Sequence, residues 1–280
     1  MQYVLIQDQI VKRNEVFVDF EDRGYQFGDG IYEVIGVYNK KSFRMKEHLE
    51  RLERSAKNLQ ITLPYSMEEL DQKLEELRER NHFENGWIYV QITRGVAPRN
   101  HPFPTPSPEP KLIGYTKEVS RPSKESYENG VDAILTKDIR WLRCDIKSVN
   151  LLPNVLAKQE AIEKNCFEAI LYREGGFVTE GSGTNVFMVK DNKIYTHPSN
   201  NYILNGITRQ AVLELCKELE FEVIQERFDQ DFLLQADEVF ITGTYIDIVP
   251  IKKIDDKVIG KPGPITNMLR QRLQIKIEQE

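Results

Sequence analysis

The 280-residue sequence is long enough for a sizeable core, and since single cores stop growing near ~250–300 residues it is expected to form two modest domains. Its formal charge of -6, with 40 % hydrophobic and 29 % charged residues, gives no basis for a nucleic-acid or anionic-membrane partner, and no stretch reaches the ~18 apolar residues of a membrane span. Cys144, Cys166 and Cys216 are odd in number and lack a Cys-x-x-Cys, so neither a disulfide framework nor a metal site is indicated and a reducing cytoplasm is expected.

The opening "MQYVLIQDQIVKRNEV" reads as a first strand rather than a signal peptide, because no basic region precedes its short apolar run. "YVLIQDQIV" and "EVFVDF" look like a strand pair, and "GIYEVIGVYNKKSFRM" like a second pair joined at Asn39-Lys40-Lys41. Leu49, Leu52, Ala56 and Leu59 recur at helical spacing, as do Leu70, Leu74 and Leu77, so two amphipathic helices are predicted. "GWIYVQITRG" then alternates with the period of a strand.

Prolines at 98, 102, 104, 106, 108 and 110 forbid regular structure in "RGVAPRNHPFPTPSPEP", a loop long enough to be either disordered or functional. "LIGYT" resumes a strand. Residues 1–120 are therefore expected to form a small N-terminal α/β domain, 121–130 a polar linker, and 131–280 a larger C-terminal domain. There "VDAILT", "FEAILYR", "GGFVTE", "TNVFMVK", "NKIYT" and "DEVFITG" read as strands. "TRQAVLELCKELE" places Ala211, Val212, Leu215, Cys216 and Leu219 on one helical face, and a last helix is expected over roughly 265–278. Segregated strands and helices in each half predict an α+β fold of two domains with a cleft between them.

Four segments put polar or flexible residues where apolar ones would pack better. Lys147 lies in "RWLRCDIKSVNLLPN", where on its own it fits a solvated charge on an apolar stem. Glu180 in "GGFVTEGSGTNVF" precedes Gly181 and Gly183 and on its own fits a turn. In "NYILNGITRQAV" a turn at Asn205-Gly206 brings Thr208 to a helix start, whose free N–H groups and positive dipole end suit a phosphate-sized anion and equally suit an ordinary cap. "FITGTYIDI" ends a strand in Thr242-Gly243-Thr244, hydroxyls that serve either an anion or a plain turn. One explanation joins all four. A lysine for a Schiff base, a carboxylate for a pyridinium nitrogen, and an N–H and hydroxyl nest for a phosphate are the parts of a pyridoxal phosphate site.

The order Lys147, "TEGSGTNVF", "LNGITR", "FITGT" resembles the fold-type IV pyridoxal phosphate enzymes, among them branched-chain aminotransferases, aminodeoxychorismate lyases and D-amino acid aminotransferases. "EDRGYQFGDGIYEV" and "EHLERL" extend the resemblance over essentially the whole chain, and "RWLRCDIKS", "LLPNVLAKQEA" and "TRGVAPRNH" are most similar to the bacterial D-amino acid enzymes. The resemblance implies a two-domain architecture with the active site in the interdomain cleft, pyridoxal 5'-phosphate as cofactor, and a homodimer. It also implies ping-pong transamination between a D-amino acid such as D-alanine and 2-oxoglutarate, giving pyruvate and D-glutamate for the bacterial cell wall.

On the same basis Lys147 would be the Schiff-base lysine and proton shuttle, Glu180 the partner of the pyridine nitrogen, and Arg140 a neighbour of the phenolic oxygen. Arg51, the N–H groups of Ile207 and Thr208 and the Thr244 hydroxyl would hold the phosphate, and Leu204 would pack on the ring. Arg99 and His101, on a loop reaching the neighbouring subunit's site, would bind the substrate carboxylate together with Tyr32. A forked guanidinium and an imidazole hold a carboxylate in one orientation, which gives the proline-rich loop a purpose.

Two segments depart from the D-amino acid pattern: Ser182-Gly183-Thr184 stands in place of a serine run, and Thr242-Gly243-Thr244-Tyr245 in place of Thr-Ser-Thr-Thr. The Thr-Gly-Thr part leans towards the branched-chain enzymes. A branched-chain L-aminotransferase, an aminodeoxychorismate lyase and, more remotely, a non-catalytic cofactor-carrying protein are the alternatives.

Overall fold

The computed structural model describes residues 2–244 and 246–280, whose contacts divide into two units. The first comprises residues 2–120 with Ile146–Asn150 and Glu280, the second Arg121–Asp145 with Leu151–Gln279. The expected α+β character is present, with one sheet in each unit.

The first unit runs β1 (Tyr3–Ile6), β2 (Gln9–Lys12), α1 (Arg23–Phe27), β3 (Gly30–Tyr38), β4 (Lys41–Ser42), α2 (Met45–Asn58), α3 (Met67–Arg80), β5 (Gly86–Thr93) and β6 (Lys111–Lys117). Its strands are antiparallel in the order β2-β1-β6-β5-β3-β4. Asn39 and Lys40, at φ 49° and 72°, form the left-handed pair of a two-residue hairpin turn between β3 and β4. The apolar stripes of α2 and α3 cover one face of the sheet, where Leu52, Leu70, Leu74, Leu77, Ile31 and Ile35 are fully buried. Each such side chain contributes roughly 1.5–3 kcal/mol by leaving water. Tyr32, Trp87, Tyr89 and Tyr115 form a separate row of ring contacts, 5.0 to 6.3 Å between centroids, on the other face.

The strand expected at 15–20 is absent. β1 pairs with the nearer β2 and with β6, which leaves the following segment without a neighbour, and Phe17, Val18 and Phe20 are 85 %, 63 % and 77 % exposed.

The second unit runs α4 (Lys124–Asn129), β7 (Val131–Lys137), α5 (Leu152–Glu163), β8 (Glu168–Tyr172), β9 (Val178–Gly181), β10 (Asn185–Lys190), β11 (Lys193–Thr196), α6 (Ile207–Glu218), β12 (Val223–Gln225), α7 (Gln230–Leu233), β13 (Glu238–Gly243), β14 (Asp247–Ile254), β15 (Lys257–Val258) and α8 (Pro264–Gln279). The strand order is β12-β11-β10-β13-β14-β7-β8-β9, with β15 on β14. β7 is parallel to both of its neighbours, so the sheet is mixed. α6 buries Ala211, Val212, Leu215 and Cys216 and packs on β13 and α8.

Two elements differ from expectation. The polar stretch read as a linker holds α4, started by Ser123, whose Oγ accepts the Ser126 N–H at 3.1 Å. α5 follows the lysine segment directly. It buries Ala157 and Ala161 against Ile134, Ala169 and Leu171 while Leu152, Val155 and Leu156 stay exposed, so no single apolar stripe marks it as a helix. No helix among the described residues is long and apolar enough to cross a membrane.

Candidate active site

Lys147 lies in the five residues that return to the first unit. Ile31 of β3 bridges Ser148, the Tyr32 N–H donates to the Lys147 carbonyl at 3.0 Å, and the Val149 N–H donates to the Gly30 carbonyl at 3.0 Å. On the α2 side the Lys147 N–H donates to Ser55 Oγ at 3.3 Å. The backbone is thus held from both sides. Its Nζ stands 4.3 Å from the centroid of the Tyr32 ring, and among the described residues no carboxylate pairs with it.

Arg51, which alone suggested a solvated helix residue, is 4 % exposed. Its Nε donates to Glu33 Oε1 at 2.7 Å and its Nη2 to Glu33 Oε2 at 2.9 Å, while His48 Nδ1 meets the same Oε2 at 2.7 Å. Strand alternation puts Glu33 on the face of Ile31 and Ile35, beneath α2, and the i,i+3 spacing puts His48 beside Arg51. Burial opposes the Glu33 charge, but the Arg51 guanidinium and His48 outweigh it and hold the carboxyl far below the usual carboxylate range. Burial pushes His48 down, against Glu33, and because an ionised carboxylate can only accept, Nδ1 carries the proton in this contact. Neither Glu33 nor His48 stands out in the sequence; the one available signal is a charged residue at a core-facing position of a strand.

The proline-rich loop is irregular yet pinned. The Arg99 guanidinium lies over the Phe27 ring at 4.5 Å, Arg23 over the same ring at 4.7 Å, and His101 packs against it at 5.6 Å. Arg23 also donates to the Asn100 carbonyl at 2.6 Å, to the His101 carbonyl at 3.3 Å and to Asp29 at 2.9 Å. Asp29 in turn takes two bonds from Arg94, at 2.7 and 2.9 Å. Arg99 and His101 are therefore brought together, and Phe27, Arg23 and Asp29 are supports that the sequence reading lacked.

In the second unit Glu180 lies one residue before the end of β9 and is 5 % exposed. Arg140 Nη1 donates to its Oε1, Asn185 Nδ2 to its Oε2 at 3.0 Å, and the Leu204 N–H to both oxygens at 3.2 and 3.0 Å. Burial pushes the Glu180 carboxyl up, while Arg140 and the Leu204 N–H work against that rise. The remaining Arg140 nitrogens go to Asp138 at 2.9 Å and to the Tyr202 carbonyl at 3.2 Å. Arg140 is thus a partner of the Glu180 carboxylate.

α6 starts at Ile207 with no side chain capping its first turn, so the N–H groups of Ile207 and Thr208 have no partner from the helix or its cap. Gly206 is required by close approach: a Cβ there would lie 2.2 Å from Asn185 Oδ1. Thr242, at the end of β13, buries its Oγ1 without a hydrogen-bond partner among the described residues. Thr244 follows in a turn, and Tyr245 lies outside the described residues.

Over residues 30–254 the chain matches the family described as Amino-transferase class IV. It belongs to that family. This class IV aminotransferase is 48 % identical over 280 residues to a D-alanine aminotransferase of Staphylococcus haemolyticus, covering 99 % of each chain. Its fold is similar to that of the branched-chain amino acid aminotransferase of Escherichia coli, with TM-score 0.92 and 27 % identity over 98 % of this chain and 93 % of that one. It is also similar to a second branched-chain amino acid aminotransferase, solved with pyridoxamine 5'-phosphate, with TM-score 0.90 and 30 % identity over 99 % of this chain and 94 % of that one.

Pyridoxal 5'-phosphate is the cofactor of this class IV aminotransferase, and the residues present fit it. A lysine amine with no carboxylate partner among the described residues, a buried carboxylate held by three donors, and helix N–H groups without a side-chain cap suit respectively an aldehyde, a pyridine nitrogen and a phosphate.

Proposed function

We propose that this aminotransferase exchanges amino groups between a D-amino acid, such as D-alanine, and 2-oxoglutarate, with pyruvate and D-glutamate as products of two successive half-reactions. The observation that carries this reading is the 48 % identity to D-alanine aminotransferases over 99 % of both chains, against 27 % and 30 % to the branched-chain structures.

Bound pyridoxal phosphate supplies an electron sink for negative charge at the substrate Cα. Lys147 is the amine that holds the cofactor and then moves the proton at Cα; its Nζ has no carboxylate among the described residues to neutralise it. Glu180 keeps a proton on the ring nitrogen, a task suited to a carboxylate whose basicity is raised by burial. Arg140 positions Glu180. Arg51, the N–H groups of Ile207 and Thr208, and the Thr244 hydroxyl hold the phosphate, and Leu204, tied to Glu180 through its N–H, packs on the ring.

Arg99 and His101, with Tyr32, hold the substrate carboxylate, the loop serving the neighbouring subunit of a homodimer. Their common seat on Phe27 supports a joint role. A carboxylate fixed on one side presents the hydrogen of one enantiomer to the lysine, so this trap sets the hand.

A branched-chain L-aminotransferase is the second reading, favoured by the TM-score of 0.92 and by Gly243 in the Thr-Gly-Thr turn. The test is the absorption of the cofactor-loaded protein as D-alanine and, separately, L-valine are added without acceptor. Bleaching by D-alanine alone supports the first reading and bleaching by L-valine alone the second; absence of any cofactor band overturns the role of Lys147.

A further inference from the structure

The second unit contains a half-open cavity of about 360 Å³, at the small end of the ~300–1,000 Å³ typical of small-molecule sites. It is distinct from the place where Glu180 acts. Thr179 and Glu180 are consecutive on β9, so their side chains leave opposite faces, and the cavity is lined by Thr179. One wall is Tyr202, whose ring is met by the Arg173 guanidinium at 4.9 Å and the Arg227 guanidinium at 5.3 Å; Phe177 and Leu142 add apolar surface.

Two features select the ligand. Arg173 commits its Nε to Asp138 and its Nη2 to the carbonyls of Arg140 and Trp141, which leaves Nη1 without a partner among the described residues, and Arg227 makes no ion pair among them. Lys137, Arg173 and Arg227 face Asp138 and Glu174, three cations against two carboxylates, so one positive charge is left over. That surplus favours an anion over a neutral molecule, and the apolar surface of Tyr202, Phe177 and Leu142 favours an anion with an apolar body over a bare phosphate.

We propose that this cavity binds a small monocarboxylate with a flat apolar body, its carboxylate on Arg227 and Arg173 and its body against Tyr202 and Phe177. Occupancy is felt at the cofactor's partner through a short chain of bonds. Asp138 Oδ2 accepts from Arg173 Nε at 3.1 Å, from Thr179 Oγ1 at 3.0 Å and from Arg140 Nη2 at 2.9 Å, and Arg140 donates onward to Glu180. A ligand that draws Arg173 away leaves Asp138 to pull harder on Arg140, which loosens Arg140's hold on Glu180.

The experiment is a calorimetric titration of the cofactor-loaded protein with sodium benzoate, with benzamide as the neutral isostere and inorganic phosphate as the dianion. It is run on the native protein, on Arg227→Gln and on Leu142→Trp. Both substituted residues are exposed, and Leu142→Trp fills the cavity while keeping every charge. The expected result is benzoate binding that weakens about tenfold or more in Arg227→Gln, through loss of a charge-assisted contact, and likewise in Leu142→Trp, with a shift of the cofactor absorption band in the native protein alone. Benzoate held only by the substrate site gives the same isotherm in all three proteins and overturns the proposal. Equal binding of benzamide, or preferential binding of phosphate, overturns it as well.

Discussion

The Arg99 guanidinium carbon lies 4.5 Å from the centroid of Phe27, the last residue of α1, and His101 rests on the same ring at 5.6 Å. A cation over an aromatic face is worth about 0.5–2 kcal/mol, and here it orients the two groups proposed to hold the substrate carboxylate. Phe27→Ala should raise KM for the amino donor roughly three- to tenfold while kcat and bound cofactor stay unchanged. Steady-state kinetics with a cofactor assay decide it, and loss of cofactor at unaltered KM would count against the role given to the loop.

Glu33 is expected to matter for stability well before it matters for rate. Glu33→Gln leaves the Arg51 guanidinium buried without its counter-charge, which should cost about 3–5 kcal/mol in urea unfolding. The pH dependence has a definite sign. The folded-state pKa lies below the unfolded one, so the stabilisation is fully present above the normal carboxylate range and disappears as pH falls towards the folded value. The difference in stability between native protein and variant should therefore be constant near neutral pH and shrink only below about pH 5.

Glu180→Gln keeps the shape of the side chain and removes the negative charge proposed to face the ring nitrogen. A fall in kcat on the order of 10²-fold or more is expected, comparable to the loss of an electrostatic stabiliser in other active sites. Unchanged thermal unfolding of the variant would confirm that the loss is chemical; an unaltered kcat would remove Glu180 from the mechanism.

Gly206→Ala tests the start of α6. The added Cβ meets Asn185 Oδ1 at 2.2 Å, and Asn185 also binds Glu180 and the Leu204 carbonyl, so one methyl group disturbs both the proposed phosphate nest and the carboxylate. Cofactor affinity, measured by absorbance titration of the apoprotein, should weaken about tenfold or more.

Helices α2, α3 and α6 are legible in the sequence because each carries a single apolar stripe, whereas Lys147 and Glu180 on their own fit a solvated charge and a turn and are singled out only by the order of motifs around them. α5 is not legible, since Leu152, Val155 and Leu156 stay exposed opposite its buried alanines. The segment at 15–20 has strand composition but no partner, and a strand exists only by pairing. The Glu33, His48 and Arg51 cluster escapes notice for another reason. Its members are 15 and 18 residues apart, joined only when β3 slides beneath α2.

Ile146–Asn150 belongs by contact to the first unit, although residues on both sides of it belong to the second, and Ile146 is part of the first unit's buried core. A protein cut after residue 120 would lose both a core side chain and the lysine proposed to hold the cofactor. Neither half can therefore be exchanged or inherited as a separate module: the chain is threaded so that the lysine and the sheet that holds it are encoded on opposite sides of a stretch of foreign structure.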